Sequence, residues 1–150
     1  QTQIINQLLK NTLLLVEPQL KRIGGKLELN LGHGLPFVAG NDIQLEQVFI
    51  NLCNNACDAM EQSKERILTI QSMAEGDEVV VRVSDTGTGM RPEVQERVFE
   101  SFFTTKSADK GTGLGMSISQ NIIEQHKGQI RFNSELGRGT TFEIYLPVAS

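Results

Sequence analysis

Apolar residues recur at helical spacing in the first part of the chain, between residues 4 and 23. A spacing of three and four residues puts them on one side of a helix, so the pattern predicts an amphipathic helix over this stretch. Pro18 lies inside it, and we expect this proline to kink the helix or to mark a restart. The pair Gly24-Gly25 is typical of a helix end. The positions that we assign to the buried side are Ile5, Leu8, Leu9, Thr12, Leu15, Val16, Leu20 and Ile23.

A second helix is predicted to begin at Asn41 or Asp42, since either side chain can cap a helix N-terminus. Three polar residues, Asn51, Asn55 and Asp58, follow one another at helical spacing and form a stripe beside the apolar face. A single amide at such a border can be a satisfied core residue, but three polar groups in line favour a functional role. The apolar face itself consists of Leu45, Val48, Phe49, Leu52, Ala56 and Ala59.

Short apolar and alternating runs predict three pairs of strands in the rest of the chain. The last helix is predicted over residues 114–127. The long connection before it, residues 86–113 with a short helix at 92–99, has the length of a mobile functional lid. This order of helices and strand pairs favours an α/β fold, a two-layer sandwich with a mixed, mostly antiparallel sheet and helices packed on one face. The predicted strands cover residues 26–31, 36–39, 66–73, 78–84, 129–134 and 140–147.

Glycines cluster at both ends of the long connection. The first cluster follows Asp85, which stands at the end of a predicted strand, and the second opens the last predicted helix. Glycine permits close backbone approach, and a helix N-terminus suits phosphate, so the clusters favour a ligand lying against the backbone. An ordinary glycine-rich loop is the alternative, and the spacing matches neither the P-loop nor the Rossmann fingerprint. The glycines are Gly87, Gly89, Gly111, Gly113 and Gly115.

Length and charge narrow the classes of protein that fit. The 150 residues suffice for one domain with a hydrophobic core, and we treat residues 1–150 as that domain. A net charge of −4 argues against a nucleic-acid-binding surface. No apolar run approaches the ~20 residues of a membrane span. Because Gln1 is not methionine, we interpret the chain as a fragment of a longer protein.

Cys53 and Cys57 are interpreted as small buried hydrophobes and not as a disulfide or metal site, which fits a reduced, cytoplasmic setting.

Several motifs occur in a fixed order along nearly the whole chain. They are Asn51…Asn55-Ala56, Asp85-Thr86-Gly87-Thr88-Gly89, Phe99…Phe102-Phe103, Gly111-Thr112-Gly113-Leu114-Gly115 and Gly137-Arg138-Gly139-Thr140-Thr141-Phe142. Together they resemble the N, G1, F and G2 boxes and the closing segment of the ATP-binding catalytic domain of sensor histidine kinases. That domain belongs to the GHKL superfamily, with the gyrase, heat-shock chaperone and mismatch-repair ATPases. The Phe-Phe-Thr-Thr-Lys and Asn-Ala-x-Asp-Ala-Met runs look most like nitrogen-regulation-type kinases.

The resemblance implies an ATP site. Asp85 would bind adenine, since a carboxylate accepts hydrogen bonds and adenine N6 donates one. Gly87 and Gly89 would let the backbone pass the base and sugar, and Thr141 would join Asp85 through a water molecule. Lys106, in the lid, would pair with the phosphates. The second glycine cluster would also bind the nucleotide, and the backbone N–H groups of its last three residues would contact the phosphates. The cluster consists of Gly111, Thr112, Gly113, Leu114 and Gly115.

The resemblance also implies a Mg²⁺ ion and a pair of catalytic asparagines, Asn51 and Asn55. Asn55 matches the family's metal ligand, and Mg²⁺ takes oxygen from one or two protein groups in addition to phosphate. The hydrolysing members of the superfamily have a glutamate where this chain has Asn51, and an amide is not a useful general base. Asp58 departs from the Lys or Arg of many kinases. It would lie at the nucleotide site, touching a metal-bound water or the last helix.

The reaction that the resemblance implies is transfer of the γ-phosphate to a histidine on a dimerisation and phosphoacceptor domain of the same kinase. His33 and His126 do not stand in the family's phosphoacceptor motif, so we expect this fragment to be monomeric and inactive in autophosphorylation. Residues 1–16 would include the end of the connection from the dimerisation helices. The parent would be a homodimer, membrane-anchored or not, that passes phosphate to a response regulator. The alternatives are an anti-sigma-factor-type serine kinase and a non-catalytic ATP-sensing module.

Overall fold

A computed structural model describes residues 1–100 and 115–149 of the chain. The described elements follow the predicted order of helices and strand pairs, with one addition, a short first strand. The elements are β1 (Thr2–Gln3), α1 (Ile5–Arg22), β2 (Lys26–Leu31), β3 (Val38–Ala39), α2 (Asp42–Met60), β4 (Ile67–Glu75), β5 (Glu78–Asp85), α3 (Pro92–Gln95), α4 (Gly115–Gln125), β6 (Gln129–Glu135) and β7 (Gly139–Pro147).

One five-stranded sheet carries the fold, in the spatial order β2-β4-β5-β7-β6. β2 runs parallel to β4, and the other three pairings are antiparallel. Two tight hairpins account for most of this arrangement, and each turn contains a glycine with positive φ, Gly76 at 61° and Gly137 at 85°. β1 and β3 form a separate antiparallel pair. The prediction of an α/β fold with a mixed, mostly antiparallel sheet is therefore confirmed.

Apolar side chains of α1, α2 and α4 pack on one face of this sheet and form a single core. In the middle strand β5, every second side chain faces that core, namely Val79, Val81 and Val83. The other sheet face carries the fully buried Val80 but is otherwise largely polar, and on it the Arg82 guanidinium pairs with the Glu143 carboxylate at 2.6 Å. The two-layer arrangement follows, with helices on one face only.

Helix α1 differs from its prediction in two respects. The helix continues without a restart through Pro18, so that part of the prediction is wrong. Proline removes the hydrogen bond to the carbonyl of residue 14, and because Leu14 is 74% exposed, water can solvate that carbonyl. Leu15 was assigned to the core but is 68% exposed, whereas Leu13 is buried. Around the helix axis, Leu13 lies about 60° from the buried Val16, and Leu15 lies about 100° from it. Leu15 is therefore outside the buried face of α1.

The helix ends agree with their local signals. Gly24 follows α1 with φ 73°, and the N–H of Gly25 donates to the carbonyl of Leu20, as in a Schellman cap. Asn41 caps α2, since its Oδ1 accepts the N–H of Gln44 at 2.9 Å.

Several predicted boundaries shift by a few residues, and β4 ends at Glu75, two residues later than predicted. α4 ends at Gln125, short of the predicted residue 127, α3 covers only Pro92–Gln95, and β3 covers only Val38–Ala39. Part of the predicted lid, residues 101–113, lies outside the described residues. Over residues 1–100 and 115–149, no helix is long and apolar enough to cross a membrane.

Candidate functional site

Asp85 is the last residue of β5, and the backbone around it holds one of its carboxylate oxygens. Oδ1 accepts the N–H of Gly87 at 2.8 Å and the N–H of Thr140 at 3.3 Å. Among the described residues, no hydrogen bond to Oδ2 is found. Burial raises the pKa of the Asp85 carboxyl to about 6, although the two N–H donors act in the opposite direction.

The register of β5 and β7 decides which threonine accompanies this aspartate. Ser84 pairs with Thr141, and their hydroxyls lie 3.0 Å apart on the polar sheet face. Asp85 follows Ser84 in β5, and Thr140 precedes Thr141 in β7, so both face the opposite side of the sheet. Thr140 therefore lies beside Asp85. The expected pairing of Thr141 with Asp85 is not what the structure shows, because Thr141 faces away from it.

The glycines after Asp85 are explained by contacts with protein backbone. A Cβ on Gly87 would lie 2.6 Å from the carbonyl oxygen of Ala59 in α2, and one on Gly89 would lie 2.1 Å from the carbonyl oxygen of Glu135. Hydrogen bonds from Thr88 to Ala59 and from Gly137 to Thr88 close the same packing. These contacts hold the turn between α2 and the β6–β7 hairpin. The close packing requires glycine at positions 87 and 89, a requirement that the sequence-based prediction did not include.

Thr86 is a structural residue of this turn that sequence reasoning missed. Its Oγ1 donates to the carbonyl of Glu65 at 2.7 Å and accepts the N–H of Ile67 at 2.9 Å. The hydroxyl therefore links the turn to the start of β4. A threonine between an aspartate and a glycine at a strand end is the signal that could have indicated this role.

The polar stripe of α2 faces the first turns of α4, where Gly115 begins the helix. Nδ2 of Asn51 donates to the Oγ of Ser119 at 3.2 Å and to the carbonyl of Gly115 at 3.4 Å. Nδ2 of Asn55 faces the Sδ of Met116 at 3.1 Å. The structure thus brings the two predicted catalytic asparagines together on one side of α2, next to the N-terminal end of α4. Ser119, which is fully buried, was not among the predicted residues.

The donors of the stripe fit a hard cation. An amide oxygen at Asn55 and a carboxylate at Asp58, one helical turn later, are the oxygen ligands that Mg²⁺ prefers. Among the described residues no group of three or more His, Cys, Asp or Glu side chains is placed to hold a metal ion by itself.

The other predicted nucleotide-binding residues cannot be placed. Lys106, Gly111, Thr112, Gly113 and Leu114 lie outside the described residues. Of the second glycine cluster only Gly115 is described, and it lies where predicted, at the start of α4.

The cysteines are buried and are not joined in a disulfide. Burial raises the pKa of the Cys57 thiol to about 11 and that of Cys53 to about 12, so both are protonated at neutral pH. Their interpretation as small buried hydrophobes is confirmed.

A groove of about 720 Å³ lies beside the Asp85 turn, between segments 63–65, 86–88 and 136–138. Neither Asp85 nor any residue of the polar stripe lines it. Of the predicted nucleotide-binding residues that the structure describes, Gly87 lines the groove.

Comparison with known proteins gives the same picture. A family model described as "Histidine kinase-, DNA gyrase B-, and HSP90-like ATPase" matches residues 40–150. The sensor kinase CckA of Brucella abortus (strain 2308) is 43% identical in an alignment 144 residues long, which covers 85% of this chain and 15% of that protein. The first five curated relatives are all matched over only 15% to 31% of their own length.

Two solved structures share the fold over essentially the whole chain. The nucleotide-free catalytic domain of histidine kinase ThkA has a TM-score of 0.86 at 29% identity, covering 99% of this chain and 95% of that one. Full-length ShkA in complex with AMPPNP has a TM-score of 0.87 at 27% identity, covering 100% of this chain and 31% of that one. The chain therefore belongs to the histidine kinase-, DNA gyrase B- and HSP90-like ATPase family, and within it to the ATP-binding domains of sensor histidine kinases.

Proposed function

We propose that this domain binds Mg-ATP and transfers the γ-phosphate to a histidine on a separate dimerisation and phosphoacceptor domain of the same kinase. The observation that carries the proposal is that α2 contacts both the turn that follows Asp85, at Gly87, and the N-terminal end of α4, through Asn51 and Asn55. This arrangement provides an acceptor for a base, oxygen ligands for a cation and a helix end for phosphates. The AMPPNP complex of ShkA supports a nucleotide ligand for this fold.

The two carboxylate oxygens of Asp85 would have different partners when adenine binds. Oδ1 accepts two backbone N–H groups, which leaves Oδ2 to accept the N–H of adenine N6. Guanine has a carbonyl at that position, so two acceptors would face each other without a proton. We expect GTP to bind more weakly than ATP by more than ~3 kcal/mol, since sites matched to a donor reject analogues that lack it. Thr140, the threonine beside Asp85, takes the role first expected of Thr141.

Asn55, with Asp58 one turn away, would hold the magnesium ion, which neutralises phosphate charge when it is bound. Asn51 occupies the position where hydrolysing relatives have a glutamate, and its amide cannot take a proton from water. The site would therefore hold ATP without hydrolysing it. Phosphoryl transfer then depends on bringing the acceptor histidine to the γ-phosphate, because positioning and charge stabilisation are the main requirements of this reaction.

The parent protein would be a homodimeric sensor kinase of the nitrogen-regulation-like type that passes phosphate to a response regulator, with this domain in the cytoplasm. We treat residues 1–150 as one domain, because Ile5, Leu9 and Val16 of α1 belong to the same core as the sheet. Residues 5–16 are then part of the domain as well as the segment nearest to the dimerisation helices.

The experiment uses radiolabelled ATP with the 150-residue chain alone and with a histidine-bearing dimerisation domain added in trans. We expect no label and no appreciable hydrolysis with the chain alone, and acid-labile label on the added domain. Acid-stable label on a serine would favour the alternative, an anti-sigma-factor-type serine kinase. Mg-ATP binding without transfer to any dimerisation domain would favour an ATP-sensing module. Rapid hydrolysis by the chain alone would contradict the argument from Asn51.

A further inference from the structure

The amide of Asn51 connects two helices. It projects from α2, and its Nδ2 donates both to Ser119 Oγ at 3.2 Å and to the Gly115 carbonyl at 3.4 Å in α4. Ser119 is fully buried, and the only described atoms near the space above Gly115 are Nδ2 and Cγ of Asn51, 3.8 and 3.9 Å from where a Cβ would be. Asn51 thus makes polar contacts from α2 to the first turns of α4.

This contact depends on an amide nitrogen. A carbonyl oxygen only accepts hydrogen bonds, so the atom that faces Gly115 must be a donor with a hydrogen to spare. Nδ2 carries two hydrogens, and the two bonds use both. A carboxylate at this position would place an acceptor against the carbonyl, and an aliphatic side chain would leave the buried Ser119 hydroxyl without this donor.

The first turn of α4 also lies next to Asn55 of α2, whose Nδ2 faces the Sδ of Met116. Two adjacent turns of α2 therefore contact the first turns of α4, one through Asn51 and one through Asn55. A shift of α4 would change the distance between the Asn55 side chain and the N–H groups that begin the helix.

We propose that Asn51 is a positioning residue for the nucleotide phosphates. Its amide hydrogen bonds hold the N-terminal end of α4 at a fixed distance from the Asn55 side chain. This rests on the proposed function, because the phosphates are those of the proposed Mg-ATP ligand. Asn51 acts on them through α4. The adenine end of the site, at Asp85, is held by β7 and by the turn after β5 and does not depend on Asn51.

The test compares two ligands, Mg-ATP and adenosine, by calorimetric titration of the 150-residue chain. The variants are Asn51→Leu, which has nearly the same size and no charge, Ser119→Ala and the double variant. Asn54→Leu is the matched control, since Asn54 lies on the same helix and makes no hydrogen bond to α4 among the described residues. Thermal unfolding of each variant establishes that it is folded. If Asn51→Leu does not fold, Ser119→Ala provides the same comparison.

We expect Asn51→Leu to weaken Mg-ATP binding about tenfold and adenosine binding by less than about twofold, because two neutral hydrogen bonds are lost near the phosphates only. Ser119→Ala should weaken Mg-ATP binding about threefold, and the double variant should be no weaker than Asn51→Leu, since both remove the same contact. Equal loss for the two ligands, or unchanged Mg-ATP affinity in a folded Asn51→Leu, would overturn the inference. Failure of the parent chain to bind Mg-ATP would instead overturn the proposed function.

Discussion

The backbone N–H of Thr140 donates to Oδ1 of Asp85 across strands β5 and β7, at 3.3 Å. The bond joins the last residue of one strand to the second residue of the other, so the register of the sheet fixes the orientation of the carboxylate. The N–H of Gly87 donates to the same oxygen at 2.8 Å. An asparagine could accept both bonds through its own Oδ1, which makes Asp85→Asn an informative substitution.

We expect Asp85→Asn to stabilise the nucleotide-free domain at neutral pH. Burial raises the pKa of Asp85 from 3.8 to about 6, so the folded state binds more protons than the unfolded state between these values, and stability falls as pH rises through them. The variant avoids this cost, which is at most about 3 kcal/mol above pH ~6 and smaller where solvent screens the partly exposed carboxylate. Its advantage should disappear towards pH ~4. Urea unfolding across this range measures the difference, and a variant that is less stable than the parent at neutral pH would contradict it.

ATP binding should depend on pH through the same carboxyl. The adenine N6 donor needs the ionised acceptor, so affinity should fall as pH decreases below about 6, by up to about tenfold per pH unit. Calorimetric titrations between about pH 5 and about pH 8 measure this slope. The residual binding of Asp85→Asn is the control, because it should lack the step near pH 6. The same slope in both proteins would assign the effect to another group.

Asn55→Ala should remove the dependence of nucleotide affinity on Mg²⁺. The parent should bind ATP more tightly with Mg²⁺ than with a chelator present, because the ion links the Asn55 amide oxygen to the phosphates. Without that oxygen the two conditions should give similar affinities. Asn54→Ala, on the neighbouring position of α2, is the control and should keep the parent's response. An unchanged Mg²⁺ response in Asn55→Ala would show that the ligand assignment is wrong.

Gly87→Ala should destabilise the fold through contact with α2. The added Cβ would lie 2.6 Å from the Ala59 carbonyl oxygen and 2.8 Å from its Cβ, and backbone at that distance cannot move aside cheaply. We expect a loss of about 2 to 3 kcal/mol in the free energy of unfolding. Gly34→Ala is the matched control, since Gly34 has φ 64° but open space around its Cβ position, and should lose only about 1 kcal/mol. A smaller loss for Gly87→Ala than for Gly34→Ala would show that the turn is free to move.

Much of the architecture follows from local signals in the sequence. The cap at Asn41, the glycine end of α1 and the hairpin turns depend on a few adjacent residues, and these were predicted with small errors. The position of Asp85 at a strand end and the stripe of Asn51, Asn55 and Asp58 follow from the periods of strand and helix. Such features need no knowledge of distant contacts, because the chemistry of the backbone acts over one or two turns.

The sequence by itself determined the elements, their order and the residue types at the site, but the tertiary structure decided which residues meet. A change of one residue in strand register reverses the face of every side chain, so only the pairing of β5 with β7 places Thr140, and not Thr141, beside Asp85. The buried face of α1 includes Leu13 and leaves Leu15 exposed, which the apolar spacing of the sequence did not predict. The bond from Asn51 to Ser119 joins residues 68 positions apart, and such a contact exists only after α2 and α4 have packed together.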